Sequence, residues 1–592
     1  MLIDRFARLV SDRVVVPSPR RHLAWLAVFA CLVAGTVAVL ASSPPRSQGS
    51  AAQSRPNMIV IETDDQTLES VRVMEGVRSQ IADRGATFRN SFVNFSLCCP
   101  SRSTLLTGQY AHHHRVLDNR PPDGGFRRFQ RRHGRNNLAV WLKQSGYYTA
   151  MIGKYLNGYG VVDPTFVPAG WSYWFATTGE HKQAVYDYDM NDNGFLLHYG
   201  ADALDYKDDV FTDAAVDLID ARAPGRKPFF LWLTYTAPHT DPNPDPPAEC
   251  HDAARPASRH VGAFDSEPLP EPPSFNESDV SDKPPSIQAL PQLNPGEISD
   301  ITRKYRCELE SLLSVDDGVK RVVGELEERG ELGNTYVMFT SDNGFFHGEH
   351  RIPGGKRRLY EESIRVPLLI RGPGIRAGVT ARDLVTNADL APTVAHIAGA
   401  DAGAVMDGRS LLPAARHPSR ERGRELSIES QEFAGIRTQR YVYARHGGGA
   451  QELYDLKRDP YEQQSVHADP SYDAVRDRLA TRLRDLKHCK GRDCRRQPHL
   501  RLGLDYRTEH RDGHRCARAP IVAELRGRNV GGVARATFRV GSELVGADSD
   551  RPFRRRLPRG SFDRRGRTVV RVSAAMVDGR RMTIDRRLRA CA

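Results

Sequence analysis

The chain has 592 residues, 39% of them hydrophobic and 27% charged, with a net charge of +12 at pH 7. That length excludes a single small module and leaves room for two or three domains, and the composition is ordinary for globular protein. The positive charge is concentrated in arginine, especially beyond Arg495, which suits attraction to polyanions and equally suits solvated surface arginines.

Residues 1–55 differ in character from the rest of the chain. A basic lead with Arg20-Arg21 precedes an apolar run from Leu23 to Ala41, and a linker rich in Ser, Pro, Gly and Gln continues to Arg55. The run is close to the roughly 20 residues that span a bilayer, while Ala38-Val39-Leu40-Ala41-Ser42-Ser43 offers small residues for cleavage. A cleaved export signal and a single membrane anchor both fit. The arginine pair suggests twin-arginine export, although Pro19 and His22 suit that pattern poorly. Either way the rest of the chain is expected outside the cytoplasm, secreted or held at the cell surface, where disulfides persist.

From Pro56 onwards short apolar runs alternate with helical stretches, the pattern of an α/β fold with a large, mainly parallel sheet between helices. Ligands in such sheets bind beyond the carboxyl ends of strands, so the residues that leave each apolar run are the ones to inspect. Asn57 to Thr63 ends at Asp64-Asp65-Gln66. Next, Cys98-Cys99-Pro100-Ser101-Arg102-Ser103-Thr104-Leu105-Leu106 reads as a helix starting near Pro100 and Ser101, whose free N–H groups would face an anion. Tyr147 to Ile152 delivers Gly153-Lys154-Tyr155-Leu156-Asn157, and Pro228 to Tyr235 delivers Ala237-Pro238-His239. Thr335 to Ser341 ends at Asp342-Asn343-Gly344, after which a glycine-rich loop leads to Lys356. Acid and amide oxygens at strand ends are what a hard cation such as Ca2+ or Mg2+ takes as ligands. Each pair alone is also what a strand-to-loop turn favours. His347 and His350 could line a substrate pocket, but glycine-rich loops often carry exposed histidines and that reading is favoured.

Asp241 to Pro295 is rich in Pro, Asp, Glu and Ser and reads as a surface insertion over the site. Ile298 to Arg329 has helical periodicity, with Asp316 and Asp317 as surface or packing acids. Glu425 to Leu486 reads as a smaller α+β subdomain ending in an amphipathic helix from Val475. Short alternating runs beyond residue 498, such as Ala536 to Val540 and Thr568 to Val572, suggest a small all-β sandwich. Of nine cysteines, Cys31 lies in the apolar run and Cys98 and Cys99 stand together. The other six can pair in fifteen ways. Cys489 and Cys494 make an easy short loop, Cys516 and Cys591 would close the C-terminal module, and Cys250 could pair with Cys307. No C-x-x-C pair occurs, which argues against a structural zinc site.

Cys98-Cys99-Pro100-Ser101-Arg102 resembles the C-x-P-S-R signature of type I, formylglycine-dependent sulfatases, and the resemblance extends over roughly Arg55 to Cys494. It implies an alkaline phosphatase-like core over 56–420, with the insertion at 241–295, a C-terminal subdomain over 421–497, and an extra module over 498–592 outside the family. It implies that Cys98 is oxidised to formylglycine by a formylglycine-generating enzyme. The hydrated aldehyde then attacks sulfur with one hydroxyl and expels sulfate with the other. Asp64, Asp65, Asp342 and Asn343, with hydrated Cys98, would bind Ca2+ or Mg2+. Arg102, Lys154 and Lys356 would neutralise charge, and His239 would serve the leaving oxygen.

One departure is informative. Arylsulfatases commonly carry Gly-Lys-Trp-His where this chain has Gly153-Lys154-Tyr155-Leu156-Asn157. That form is similar to the branch with N-acetylglucosamine-6-sulfatases and extracellular heparan sulfatases. Asn157 would hydrogen-bond at the sulfate or the nucleophile, but an amide cannot shuttle a proton as histidine can. The resemblance therefore implies a sulfuric ester hydrolase acting on a sulfated sugar or glycosaminoglycan, with contact to anionic envelope or polysaccharide admitted by the charge and no nucleic-acid partner. The alternatives are a phosphonate or phosphodiester hydrolase of the same superfamily and a non-catalytic cell-surface protein that binds polyanions.

Overall fold

The computed structural model describes residues 55–591 apart from 180–182, 224, 226, 243–247, 419–422, 496–499, 512, 528–529, 564–565 and 577–580. The apolar run Leu23 to Ala41, a candidate signal or anchor, lies outside the described residues. Among those described, no helix is long and apolar enough to cross a membrane.

Ten strands form the central sheet: β1 (Asn57–Thr63), β2 (Ala86–Phe92), β3 (Tyr148–Gly153), β4 (Tyr173–Thr178), β5 (Tyr188–Asp192), β6 (Phe195–Tyr199), β7 (Phe229–Thr234), β8 (Thr335–Ser341), β9 (Leu368–Arg371) and β10 (Val379–Thr386). Their order is β10-β2-β9-β8-β1-β7-β3-β4-β5-β6. The middle is parallel, with β1 between β7 and β8 and β3 between β7 and β4. Strand β9 runs antiparallel to both neighbours, and β5 and β6 extend the sheet as an antiparallel edge. The β5–β6 reversal is set locally, because Asn193 and Gly194 take φ of 50° and 99°, the left-handed pair that a tight hairpin turn requires.

Every residue of β1, β7 and β8 is buried, so these strands are covered on both faces. Alternate side chains serve two cores. Met58, Val60, Phe230, Trp232 and Met338 face helices α1 (Cys98–Thr107), α2 (Leu138–Gln144) and α5 (Leu390–Ala398). Ile59, Ile61, Leu231, Leu233 and Phe339 face α3 (Lys207–Arg222) and α4 (Pro295–Glu328). Burial of each large side chain stabilises the fold by about 1.5–3 kcal/mol. Helix α4 starts from a capping box between Asn294 and Glu297 with Pro295 at its first position. Its Asp316 is buried and accepts from the Gly76 and Val77 amides, both at 2.8 Å, so it is a packing acid.

After the central sheet comes a four-stranded antiparallel one: β11 (Leu426–Glu429), β12 (Phe433–Arg437), β13 (Tyr441–His446) and β14 (Gln451–Asp455), packed against α6 (Asp473–Leu486). Beyond it, β15 (Leu500–Arg511), β16 (His514–Gly527) and β19 (Arg554–Leu557) form one sheet. A second contains β17 (Val533–Val540), β18 (Glu543–Asp548), β20 (Thr568–Met576) and β21 (Arg581–Leu588). The two sheets share one apolar core. Disulfides join Cys250 to Cys307, Cys489 to Cys494 and Cys516 to Cys591, while Cys98 and Cys99 remain buried thiols.

Candidate active site

Strands β8, β1, β7 and β3 lie side by side and parallel, so their carboxyl ends open on one place. Asp64 and Asp65 leave β1 there, Asp65 with a left-handed φ of 69° that turns the chain sharply. The turn is held by Gln66, whose Oε1 accepts from Thr63 Oγ1 at 2.7 Å and whose amide donates to Ser341 Oγ at 3.0 Å. Gly153 ends β3 with φ 114°, and a Cβ there would stand 1.9 Å from the Thr234 carbonyl. Only glycine lets β3 leave against β7 and present Lys154.

Helix α1 begins at Cys98, two residues earlier than expected. The Ser101 amide donates to the Leu97 carbonyl at 2.9 Å, closing a full helical turn with Pro100 inside it. A proline is tolerated in the first turn because its missing N–H would have had no partner within the helix. All ten residues of this helix are buried. Three of its hydroxyls bond its own carbonyls, Ser103 donating to Cys99 O, Thr104 to Pro100 O and Thr107 to Ser103 O, while Ser101 Oγ accepts from Asn387 Nδ2 at 2.9 Å.

Cys98 Sγ lies 3.4 Å from Asp64 Oδ1, 3.1 Å from Lys356 Nζ and 3.9 Å from Lys154 Nζ. Lys154 contacts Asp64, and Lys356 contacts Asp65. Beneath them Arg102 is fully buried, with Nε on Asp342 Oδ2 at 2.8 Å, Nη1 on the Lys154 carbonyl at 2.7 Å and Nη2 on Asp64 Oδ2 at 3.3 Å. Its guanidinium is thus committed to the acids that surround Cys98. Asn343 donates to Asp65 Oδ1 at 2.5 Å, and the Asp65 amide donates to Asp342 Oδ1 at 3.2 Å. The structure therefore brings Asp64, Asp65, Cys98, Arg102, Lys154, Asp342, Asn343 and Lys356 into one cluster.

His239 stands at its edge, with Nε2 3.8 Å from Asp65 Oδ2. Its Nδ1–H donates to the Thr240 carbonyl at 2.8 Å, which leaves Nε2 to accept from the Gln183 amide at 3.0 Å. That tautomer is neutral. Burial, with Lys154 nearby, accordingly holds the imidazole below its ordinary pKa. Asn157 is placed differently: its backbone carbonyl accepts from Phe126 N at 2.7 Å, and its Oδ1 is buried without a hydrogen-bond partner.

Charge governs this site. Burial pushes the Cys98 thiol up to about 12, with Asp64 adding to the effect. Burial and then Asp64 raise Asp342 to about 6. Asp64 is also desolvated, yet the Lys154 ammonium and then the Arg102 guanidinium hold it well below the usual carboxylate range. Glu62 was not singled out from the sequence. It is buried on β1, accepts from Trp232 Nε1 at 3.1 Å, lies 3.8 Å from Arg102 Nη1 and is raised by burial to about 8. The signal that could have found it is an acid inside an otherwise apolar strand. Gln183 sits in a loop with no comparable signal.

His347 and His350, expected on the surface, are buried. His347 is paired with Glu308 at 2.7 Å and His350 with Glu277 at 2.9 Å, because the segment 272–293 and helix α4 close over the glycine-rich loop.

Asp64, Asp65, Cys98 and Asp342 each offer a ligand atom within 4.8 Å of the others. Asn343 Oδ1 is buried there without a partner. An orphaned amide oxygen beside three carboxylates is the donor set of a hard divalent cation, so the residues fit one.

A profile of the sulfatase family matches residues 56–400, and one described as N-sulphoglucosamine sulphohydrolase, C-terminal, matches 348–489. Over 364 residues the chain is 38% identical to a putative extracellular sulfatase Sulf-1 homologue of Caenorhabditis elegans, covering 61% of this chain and 49% of that protein. It is 36% identical over 374 residues to the N-acetylglucosamine-6-sulfatase of Homo sapiens, covering 62% and 65%. The matched part of the chain thus spans about half to two thirds of these relatives. Among solved structures, BT4656 in complex with its substrate D-glucosamine-2-N,6-O-disulfate superposes with a TM-score of 0.60 at 26% identity, over 73% of this chain and 97% of that one.

Proposed function

The chain belongs to the sulfatase family, and from that premise we propose that it hydrolyses sulfate esters of a sulfated sugar, with Cys98 converted to formylglycine. The observation that carries this reading is the placement of Cys98 at the first turn of α1, facing Asp64 and within reach of two lysines. A thiol held near pKa 12 is a poor nucleophile at neutral pH, which favours a modified residue there over the thiol itself. As formylglycine, residue 98 supplies the hydroxyl that attacks sulfur. Asp64, Asp65, Asp342 and Asn343 would hold a divalent cation, which would supply positive charge to polarise the sulfate; Ca2+ and Mg2+ both suit these oxygens.

Lys154 and Lys356 flank Sγ and balance the charge of a sulfate seated above it. Arg102 contributes as a positioning residue, because its donors are used by Asp342, Asp64 and the Lys154 carbonyl. His239, neutral with Nδ1 pinned, presents Nε2 toward the site through its contact with Gln183. A protonated donor is needed to release an alcohol, so His239 takes up a proton at Nε2 once substrate displaces Gln183. Asn157, with its free Oδ1, is proposed to turn toward substrate rather than to shuttle a proton.

The relatives named for N-acetylglucosamine-6-sulfate and the complex with a glucosamine disulfate support a sulfated glucosamine as substrate. The three disulfides support a location outside the cytoplasm, as does the relative named extracellular. Residues 56–420, 421–497 and 498–592 are proposed as catalytic domain, C-terminal subdomain and appended β module. Mass spectrometry of the Cys98 peptide from the native host, together with sulfate release from sulfated glucosamines, tests the reading. An unconverted thiol in turning-over protein, or full activity in Cys98→Ala, would sink it. Faster cleavage of phosphonate monoesters than of any sulfated sugar would redirect it.

A further inference from the structure

A second cluster, built from residues outside the catalytic group, has the construction of a metal site. His350 comes from the glycine-rich loop, Glu362 from the turn after Tyr360, and Glu462 from the loop after β14. One ligand atom from each lies within 4.8 Å of the others. His350 Nε2, Glu362 Oε2 and Glu462 Oε1 are all buried and have no hydrogen-bond partner. His350 is 0% and Glu462 1% exposed. Nε2 and Glu362 Oε2 stand 3.7 Å apart, beyond hydrogen-bond reach.

The remaining atom of each group is tied down. Facing Glu277 Oε1 at 2.9 Å, His350 Nδ1 carries a proton and donates it; burial opposes a second proton, but Glu277 and Glu362 raise the imidazole to about 10, so a cation that binds Nε2 must displace the proton held there. The imidazole stacks on Tyr360 with centroids 3.9 Å apart. Glu362 Oε1 accepts from Ser274 Oγ at 3.3 Å, and Glu462 Oε2 accepts from the Glu361 amide at 2.9 Å. A carboxylate that orients a histidine, with unbonded atoms converging from three side chains, is how proteins prepare a metal ligand set, which takes up a cation in exchange for protons. Lys283 Nζ, 3.6 Å from Glu277 Oε2, is the nearby ammonium, and burial with Glu361 and Glu362 beside it raises Glu462 well above the usual carboxylate range, so without a cation the cluster is balanced by the protons it holds.

We propose that His350, Glu362 and Glu462 bind a second divalent cation of the Zn2+ class. One imidazole nitrogen and two carboxylates suit Zn2+ better than Ca2+, which prefers oxygen ligands throughout. Three protein ligands leave a fourth tetrahedral position for water. The ion joins three parts of the chain: the segment 272–293 through Glu277, the loop that carries Lys356, and the C-terminal subdomain through Glu462. Its role is structural, and it is independent of the chemistry at Cys98.

The test uses full-length protein stripped by chelator and reloaded with excess Ca2+, then titrated with ZnCl2 by calorimetry and with CoCl2 by absorption spectroscopy. One Zn2+ is expected to bind per chain, with Kd below about 1 μM. Co2+ is expected to give the intense visible bands of low-coordinate cobalt, abolished by Zn2+. Glu462→Gln, nearly isosteric, weakens Zn2+ binding at least about 100-fold, whereas Asp342→Asn in the catalytic cluster leaves it intact. Absence of saturable Zn2+ binding, or binding lost in Asp342→Asn and kept in Glu462→Gln, overturns the proposal. Should Glu462→Gln fail to fold, the wild-type cobalt spectrum decides: only the weak bands of six-coordinate Co2+ would overturn it.

Discussion

Lys356 Nζ lies 3.1 Å from Cys98 Sγ while contacting Asp65, so a cation 258 residues downstream closes over the first turn of helix α1. Burial works against its charge, but Asp65, Cys98 and Asp64 raise its pKa well above the ordinary lysine value, so it is charged at any working pH. Under the proposed function, truncation removes a positive group aimed where sulfate charge would shift in the reaction. Lys356→Ala is expected to lower kcat on a sulfate ester by about 100- to 1,000-fold with a smaller change in KM. Steady-state kinetics measures this, and an unchanged kcat would contradict the assignment.

Arg102 holds the acids in place from below. It is 0% exposed and bonds Asp342, Asp64 and the Lys154 carbonyl, with Glu62 3.8 Å away. Removing one member of a buried charge network leaves the others uncompensated, at a cost of about 3–5 kcal/mol. Arg102→Met is expected to lower the denaturation midpoint accordingly. Arg102→Lys restores one charge but not the three-way fork, and is expected to recover less than half of that loss. Urea unfolding of the three proteins compares them directly.

How much of this was legible depended on whether a signal was local. Asp64, Lys154, His239 and Asp342 come directly after apolar runs, and the parallel order β8-β1-β7-β3 makes each exit converge on Cys98. Short runs of alternating or apolar residues suffice for that. Strand direction at β9 did not announce itself, since an apolar tetrapeptide reads the same in either sense. The Asn193-Gly194 hairpin did carry a turn signal, and it explains why β5 and β6 are antiparallel. His347 and His350 look like loop residues because their partners, Glu308 and Glu277, are 39 and 73 positions away in sequence. Burial imposed by a distant segment leaves no periodicity to read.

The His112–Glu429 pair makes stability depend on pH. His112 Nδ1 meets Glu429 Oε1 at 2.6 Å and Nε2 meets the Cys489 carbonyl at 2.8 Å, joining the segment after α1 to the C-terminal subdomain. Burial lowers the His112 pKa, but the bond to Glu429 outweighs it, and the net shift is upward from 6.5. A raised folded value means the folded state holds the proton more tightly. The contribution of His112 is therefore complete below 6.5 and is lost as pH rises through the raised value. Glu429 is desolvated too, yet its bond to His112 moves it below 4.5, so its share is present above 4.5 and lost as pH falls through the lowered value. His112→Ala should cost about 1–2 kcal/mol near pH 5.5 and progressively less at alkaline pH. A stability gap between wild type and variant that stays flat from about pH 5.5 to pH 9 would refute the linkage.

Gly153 offers a test of whether strand exit geometry, and not merely the presence of Lys154, makes the site. Its φ of 114° is closed to side-chain-bearing residues, and a Cβ would lie 1.9 Å from the Thr234 carbonyl. That carbonyl accepts from the Lys154 amide at 3.0 Å, so it cannot withdraw without releasing the lysine's own backbone. Gly153→Ala is therefore expected to part β3 from β7 at their carboxyl ends, costing about 2–4 kcal/mol in backbone strain and lost pairing. Lys154 would then stand away from Asp64, and Arg102 would lose the Lys154 carbonyl that receives its Nη1. Activity should fall by more than about 100-fold in protein that is still folded at low temperature, although no charged group has been altered. The equally small Gly158→Ala provides the control: its φ is 82° but the nearest atom to a Cβ is 4.0 Å away, so strain arises there without a clash at the site. Equal activity losses in the two variants would mean that backbone strain alone, and not the placement of Lys154, accounts for the effect.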